Sequence, residues 1–130
     1  YEDRQVMAYL ADEVVRSYAV QERVLGELRG MIGSDDLPKS LLDVGCGPGT
    51  GLFAANEYWS LKSAHLVDRS HIFRRFAQDL LAQDESITAS LVFDERLPLV
   101  EADLSLLSFT LAEQSTDHEA LELLRRVWSV

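Results

Sequence analysis

The sequence predicts a doubly wound α/β domain with a mostly parallel sheet. Short apolar or β-branched runs alternate with helical patterns along most of the 130 residues, which is typical of parallel strands joined through helices. A glycine-rich turn, GCGPG at 45–49, follows the first apolar run, and in this class such a turn places a ligand at the carboxyl edge of the sheet. Hydrophobic residues make up 47% of the chain, which is enough for one domain with a real core.

The first 32 residues are predicted to be helical, because they contain no proline and carry a mostly apolar stripe at spacings of three and four. The stripe consists of Tyr18, Gln21, Leu25, Leu28 and Ile32. The loop GSDDLPKS at 33–40 is rich in turn formers and ends this segment. We therefore expect an amino-terminal helical segment at 1–37 and the α/β domain at 38–130.

Four strands are predicted in the domain, each an apolar or β-branched run bounded by turn residues, at 41–45, 63–68, 87–93 and 103–109. One helix is expected over 50–58, and a second begins after Ser70, whose hydroxyl can cap it. The second helix has a predicted core-facing stripe of Phe73, Phe76, Ala77, Leu80 and Leu81.

The last predicted helix opens on a capping box, in which Glu119 follows Thr116 by three residues. Its periodicity predicts that Leu121, Leu124 and Trp128 face the core.

The fourth strand would be an apolar edge of the sheet if the first strand is central and the fourth lies beside it. Natural proteins normally cover such an edge, because an unpaired apolar strand promotes aggregation. We therefore expect these residues to be an amino-terminal portion of the fold, with at least one further strand after residue 130.

The composition argues against several classes of partner. With a formal net charge of −10, the chain repels a phosphate backbone, so we expect no direct nucleic-acid binding by this segment. No apolar run approaches the roughly 20 residues needed to span a bilayer, so no membrane partner is predicted. The single cysteine, Cys46, and the three histidines show no metal-ligand spacing, so no metal site is predicted.

The spacing of the glycines decides between two ligand classes that use such a turn, dinucleotides and S-adenosylmethionine. The dinucleotide pattern G-x-G-x-x-G fails in both registers, because its third glycine would fall on Thr50 or Leu52. Pro48 also lacks the N–H that a pyrophosphate-binding turn would donate. A nucleotide-binding oxidoreductase domain is therefore disfavoured.

The stretch LDVGCGPGTG at 42–51 resembles motif I of the class I S-adenosylmethionine-dependent methyltransferases. The resemblance implies a Rossmann-like domain that binds S-adenosylmethionine and its product S-adenosylhomocysteine. It also implies that the turn cradles the methionine part of the cofactor, with a carboxylate near the ammonium and sulfonium charges. The site residues that it implies here are Asp43, Gly45, Cys46, Gly47, Gly49 and Thr50.

Three further positions complete the predicted site. Asp68 ends the second strand 19 positions after Gly49, where a carboxylate can accept hydrogen bonds from both ribose hydroxyls. NAD enzymes place an acid at a similar spacing, so Asp68 indicates a nucleoside without choosing the cofactor, and a simple helix cap is its alternative. Arg69 follows it in the sequence VDRS. The resemblance implies that Asp94 accepts from the adenine amino group, and an ordinary loop acid is the alternative.

Three more stretches resemble the methyltransferase-like assembly factors of the mitochondrial ribosomal small subunit, a family with bacterial relatives. They are RSYAVQERVLGELRGMI at 16–32, VDRS at 67–70 and DLSLLSFTLAEQ at 103–114. Phe73 and Gln114 depart from the family's pattern. The resemblance implies that the full protein docks onto small-subunit ribosomal RNA and proteins in the mitochondrial matrix, or in a bacterial cytoplasm. The family's cluster-binding cysteines are not in these residues, so an iron–sulfur cluster is possible only outside them.

The sequence contains no motif typical of a methyl-acceptor site, and no catalytic residue is predicted. Methyl transfer depends mainly on positioning, and the stretch SFTL at 108–111 lacks the [D/N]-P-P-[YFW] motif of enzymes that methylate exocyclic amines. The leading interpretation is an S-adenosylmethionine-binding protein that assists mitochondrial small-subunit assembly or translation. The alternative is an active methyltransferase acting on RNA or a small molecule.

Overall fold

The computed structural model describes residues 3–108 and 114–128. Apart from a short 3-10 turn at Ser34–Asp36, its elements in chain order are α1 (Asp3–Met31), β1 (Ser40–Val44), α2 (Thr50–Asn56), β2 (Ser63–Val67), α3 (His71–Ala82), β3 (Ser90–Asp94), β4 (Leu104–Leu106) and α4 (Asp117–Trp128). The third strand therefore begins three residues later than predicted, and residue 109 of the predicted fourth strand lies outside the described residues.

The strands form one parallel sheet in the order β3-β2-β1-β4. This order, with helices on both faces, confirms the predicted doubly wound, Rossmann-like α/β class. Asp43 on β1 lies opposite Leu106 on β4. On the neighbouring strand, Val67 lies opposite Val44 of β1 and Asp94 of β3. Because side chains alternate along a strand and opposite residues share a face, Asp43 and Asp94 project from different faces.

One face of the sheet, which we call the three-helix face, is covered by α1, α2 and α3. Its buried core draws on these helices and on the strands, and includes Leu25, Leu41, Leu52, Ala64, Leu66, Ala77 and Leu81. The predicted stripe of α1 reaches this core, with Gln21 and Leu25 buried and Tyr18, Leu28 and Ile32 packed beside them. On α3 the prediction is confirmed for Ala77 and Leu81 and wrong for Leu80, which is exposed.

The helix α1 closely approaches the turn that follows α2 at Gly26, where an added Cβ would lie 2.7 Å from the Tyr58 hydroxyl. The Tyr58 hydroxyl donates a hydrogen bond to Glu22, and the Tyr18 hydroxyl donates one to Glu57 at 3.2 Å. The hydrogen bond to Glu22, and then desolvation, raise the pKa of Tyr58 to about 12. These contacts hold α1 against the domain. The predicted boundary between segments 1–37 and 38–130 stays a prediction.

The opposite face, which we call the α4 face, carries α4 and the segment 95–103. Its buried residues are Leu42, Val44, Val67 and Val127, with Leu97, Val100, Ala102, Leu107 and Leu123 packed against them. The prediction of which side of α4 faces the core is wrong, because Leu121 is 52% exposed and Trp128 88% exposed. The helix has two neighbouring apolar stripes, and the one containing Leu123 and Val127 meets the sheet.

The predicted helix caps are present. The Glu119 N–H donates to the Thr116 hydroxyl at 3.1 Å, and the Glu119 carboxylate accepts from the Ser115 N–H at 3.0 Å. The Phe73 N–H donates to the Ser70 hydroxyl at 3.3 Å. Within the described ranges, no helix combines the length and the apolar character needed to cross a membrane.

Candidate functional site

The turn between β1 and α2 is built on three glycines with left-handed backbone conformations. The φ angles are +75° at Gly45, +53° at Gly47 and +93° at Gly49, a region that residues with a Cβ rarely adopt. The N–H groups of Gly45 and Cys46 both donate to the Val67 carbonyl, at 2.7 and 2.9 Å. The turn is thereby fixed to the carboxyl end of β2.

Two of these glycines serve different purposes. A Cβ added to Gly49 would lie 3.1 Å from Cδ1 of Leu81, so this glycine lets α3 approach the turn. A Cβ added to Gly47 would meet nothing within 4 Å. The backbone at Gly47 therefore borders open space, and a ligand can approach it closely.

Asp68 stands directly after β2 and is bound to the glycine turn. Its Oδ2 accepts from the Gly47 N–H at 2.9 Å, and its Oδ1 accepts from the Ser70 N–H at 2.8 Å. A carboxylate offers about four acceptor positions on its two oxygens. Asp68 thus closes the turn and retains acceptor capacity for another pair of donors, such as two hydroxyl groups.

A cleft of about 770 Å³ opens between the carboxyl edge of the sheet and α4, within the range of roughly 300–1,000 Å³ typical of small-molecule sites. The strand ends contribute one wall, made of Val44, Gly45, Val67, Asp68 and Arg69. The segment after β3 and the region of α4 contribute the other, made of Glu95, Arg96, Leu97, Gln114, His118, Glu119, Glu122, Leu123 and Arg126.

Asp43 lies behind the turn, between β1 and α2. It is 1% exposed, and its Oδ2 has no hydrogen-bond partner among the described residues. A Cβ added to Gly51 of α2 would lie 2.6 Å from that oxygen, so the glycine makes room for the carboxyl group. Burial, and then the negative charge of Asp68, raise the pKa of Asp43 to about 7. Near neutral pH this carboxyl group is therefore divided between its protonated and ionised forms.

Cys46 and Thr50 are also buried in or behind the turn. Burial, and then the charges of Asp43 and Asp68, raise the pKa of the Cys46 thiol, so the thiol stays protonated and is a poor nucleophile. Thr50 is the first residue of α2. Both residues shape the turn from within.

Asp94 is engaged on the α4 face. Its Oδ2 lies 2.5 Å from Nε2 of His65 on the adjacent strand, and its backbone carbonyl accepts from the Asp68 N–H at 3.0 Å. In this part of the sheet the cleft is lined by the next three residues, Glu95, Arg96 and Leu97.

Of the predicted site residues, the structure brings Gly45, Asp68 and Arg69 to the cleft, and Gly47 is joined to them through Asp68. It places the others behind the turn or beside His65, namely Asp43, Cys46, Gly49, Thr50 and Asp94. Their assignment to a cofactor stays a prediction.

Sequence reasoning missed the wall formed by α4 and the segment after β3. The capping box at Thr116 indicated the start of α4, but no local pattern told which strand ends the helix would cover. Among the described residues, no group of three or more His, Cys, Asp or Glu side chains could hold a metal ion. In the predicted acceptor stretch, Ser108 is described and residues 109–111 lie outside the described residues.

Comparison with known proteins identifies the family. The human protein "Ribosome assembly protein METTL17, mitochondrial" is 26% identical over 137 residues, which cover 98% of this chain and 30% of the relative's length. The crystal structure of the plantazolicin methyltransferase BamL with a triazolic desmethylPZN analog and SAH matches 72% of this chain and 33% of that chain. The identity in that match is 21% and the TM-score 0.45. The pattern of the family described as "Mitochondrial small ribosomal subunit Rsm22" matches residues 3–130, and this chain belongs to that family.

Proposed function

We propose that this chain binds S-adenosylmethionine, and that the protein containing it assists assembly or translation of the mitochondrial small ribosomal subunit in the matrix. The observation that carries the proposal is the family match over residues 3–130. The human relative is named as a mitochondrial ribosome assembly protein. The chain spans about 30% of that relative's length, so the proposal for the ribosome concerns the whole protein.

The residues at the cleft fit the cofactor. When bound, S-adenosylmethionine supplies a methyl group activated by its sulfonium charge. Asp68 would hold the ribose hydroxyls with the acceptor positions that Gly47 and Ser70 leave unused. The open side of Gly47 admits a ligand against the backbone. In its ionised form, Asp43 would favour the cationic groups of the cofactor from behind the turn, where its carboxyl group is buried.

Because this chain is strongly acidic, we expect the ribosome to be contacted by surfaces of the full protein outside these residues. At a formal net charge of −10, this segment repels phosphate groups and does not favour ribosomal RNA. The ribosome contact would come from basic or apolar surfaces outside these residues, and an iron–sulfur cluster would also lie outside them.

The cofactor proposal is tested by calorimetric titration of the full-length protein with S-adenosylmethionine, S-adenosylhomocysteine and NAD. We expect saturable binding of the two adenosyl ligands and none of NAD. Asp68→Asn keeps the size of the side chain but replaces one acceptor oxygen by a donor, and we expect it to weaken binding about tenfold. Asp79→Asn, at an exposed position of α3, is the matched control and leaves the affinity unchanged. A folded protein that binds neither adenosyl ligand would refute the proposal.

The ribosomal proposal has a separate test. Sedimentation of the full-length protein with purified mitochondrial small subunits, at low and at high salt, shows whether the two associate. We expect co-sedimentation that weakens as salt rises, because charged contacts are screened. If the protein stays in the supernatant at low salt, the ribosomal assignment fails while the cofactor assignment stands.

A further inference from the structure

Four hydrogen bonds within the described part of the chain fix Asp68. Its N–H donates to the Asp94 carbonyl at 3.0 Å, and its two carboxylate oxygens accept from the N–H groups of Gly47 and Ser70. In the fourth, Nη1 of Arg74 donates to the Asp68 carbonyl at 2.5 Å. Three of these four partners are backbone groups, so Arg74 is the one side chain among them.

Arg74 is well placed to control the direction of Asp68. It lies on the first turns of α3 (His71–Ala82), and its guanidinium reaches back to the carbonyl that follows β2. A hydrogen bond from a charged donor is stronger than one between neutral groups. Because the carbonyl and the carboxylate of Asp68 are attached to the same Cα, holding the carbonyl fixes the backbone from which the carboxylate projects toward the N–H groups of Gly47 and Ser70.

The positive charge of Arg74 also acts on the glycine turn. It lowers the pKa of the Cys46 thiol, as a backbone hydrogen bond also does, against the larger raising effects of burial and of the Asp43 and Asp68 charges. The neighbouring Arg75 is exposed, so the Arg-Arg pair of α3 contains one partly buried residue that holds the strand end and one that faces solvent.

We propose that Arg74 is a positioning residue of the cofactor site, which fixes Asp68 so that its unused acceptor positions face the two hydroxyls of a nucleoside ribose. The inference rests on the proposed cofactor function, since it assigns a task to Asp68 toward that ligand. Arg74 acts through Asp68 and does not itself line the cleft. Its contribution should therefore depend on whether the ligand carries the ribose hydroxyls.

The test compares two ligands that differ only in the ribose hydroxyls, S-adenosylhomocysteine and its 2′,3′-dideoxy analogue. Calorimetric titration of the full-length protein gives the affinity for each. We expect Arg74→Gln to weaken binding of S-adenosylhomocysteine about three- to tenfold and to change binding of the analogue less than about twofold. Arg74→Lys, which keeps the charge and a donor, should lose less. Arg75→Gln is the matched control and should change neither affinity.

Each other outcome is informative. An equal loss for both ligands would mean that Arg74 merely supports the fold, and unchanged affinities would mean that it positions nothing; either result overturns the inference. If the unmodified protein binds neither S-adenosylhomocysteine nor S-adenosylmethionine, the proposed function itself fails and the inference fails with it. Should Arg74→Gln not fold, the same ligand pair measured with Arg74→Lys decides, because a positioning role still predicts a loss confined to the ligand with hydroxyls.

Discussion

The two faces of the sheet are covered to different extents. On the three-helix face, Leu52 of α2 and Leu66 of β2 are fully buried between the helices and the sheet. On the α4 face, Val92 in β3 is 46% exposed, and the cover consists of one helix and an irregular segment. The glycine turn is anchored to the well-covered face through Gly49 and Leu81, whereas the opposite wall of the cleft is carried by α4. One wall is thus held by dense packing, and the other by a helix with few buried side chains.

Removing side-chain volume from the three-helix face should have the largest effect. Leu66→Ala leaves a cavity in a fully buried site, and we expect it to lower the free energy of unfolding by about 3–5 kcal/mol. The matched variant Leu123→Ala, on the partly covered α4 face, should cost about 1 kcal/mol. Denaturant titration measures both values, and equal losses would show that the two faces are packed alike.

Asp43 has a buried oxygen without a hydrogen-bond partner among the described residues, and its raised pKa predicts a pH dependence. The pKa of Asp43 is raised from 3.8 to about 7 in the folded protein, so the folded state binds more protons than the unfolded state between these values. The contribution of Asp43 to stability should therefore fall as the pH rises from about 4 to about 7, by at most about 4 kcal/mol, and above that range this group adds no further pH dependence.

The substitution Asp43→Asn removes the ionisable group and should abolish this fall when unfolding is followed across the same pH range. The stability of the variant relative to the unmodified protein should rise as the pH increases. A parallel pH profile for the two proteins would mean that Asp43 is ionised in the folded state at all pH values above about 4.

Substitutions in the glycine turn show how far the dense packing of the three-helix face extends into it. Gly49→Ala places a Cβ at a φ of +93° and 3.1 Å from Leu81, and we expect a loss of about 2–3 kcal/mol from backbone strain and crowding. Gly47→Ala meets open space at a φ of +53° and should cost about 1 kcal/mol. Thermal unfolding of the two variants compares them, and the reverse order would place the tight contact at Gly47.

The smallest effect is expected on the outer side of α4. Leu124 is 41% exposed, so Leu124→Gln should change the free energy of unfolding by no more than about 0.5 kcal/mol. The same denaturant titration of the full-length protein measures it. A loss of about 2 kcal/mol in the free energy of unfolding would mean that another segment or a partner buries the outer side of α4. The contrast between the two faces of the sheet would then disappear.

The sequence was most informative where local chemistry determines structure. The glycines at 45, 47 and 49 occur where φ is positive, and the caps at Ser70 and Thr116 form as their spacing predicts. These features depend on neighbours within a few residues of each other. The parallel direction of the strands followed from the alternation of strands and helices, which restricts the topology of this class.

Features that depend on distant partners could not be predicted in the same way. The rotation of α4 was wrong because Leu121 and Leu123 belong to two neighbouring apolar stripes, and only contact with the sheet decides between them. The pairing of Asp94 with His65 depends on the register of β2 and β3. The sequence pattern of neither strand alone predicts how the two strands are aligned.

The position of Asp68 between Gly47 and Ser70 has a consequence for how related proteins are interpreted. Because the acid completes the turn, a related protein that bound no nucleoside would still need it to keep the loop in shape. Retention of this acid across a family therefore records the architecture of the loop and does not by itself date or demonstrate the use of a cofactor. Arg69, which is exposed and borders the cleft, completes no such turn among the described residues, so a substitution there would leave the loop in shape.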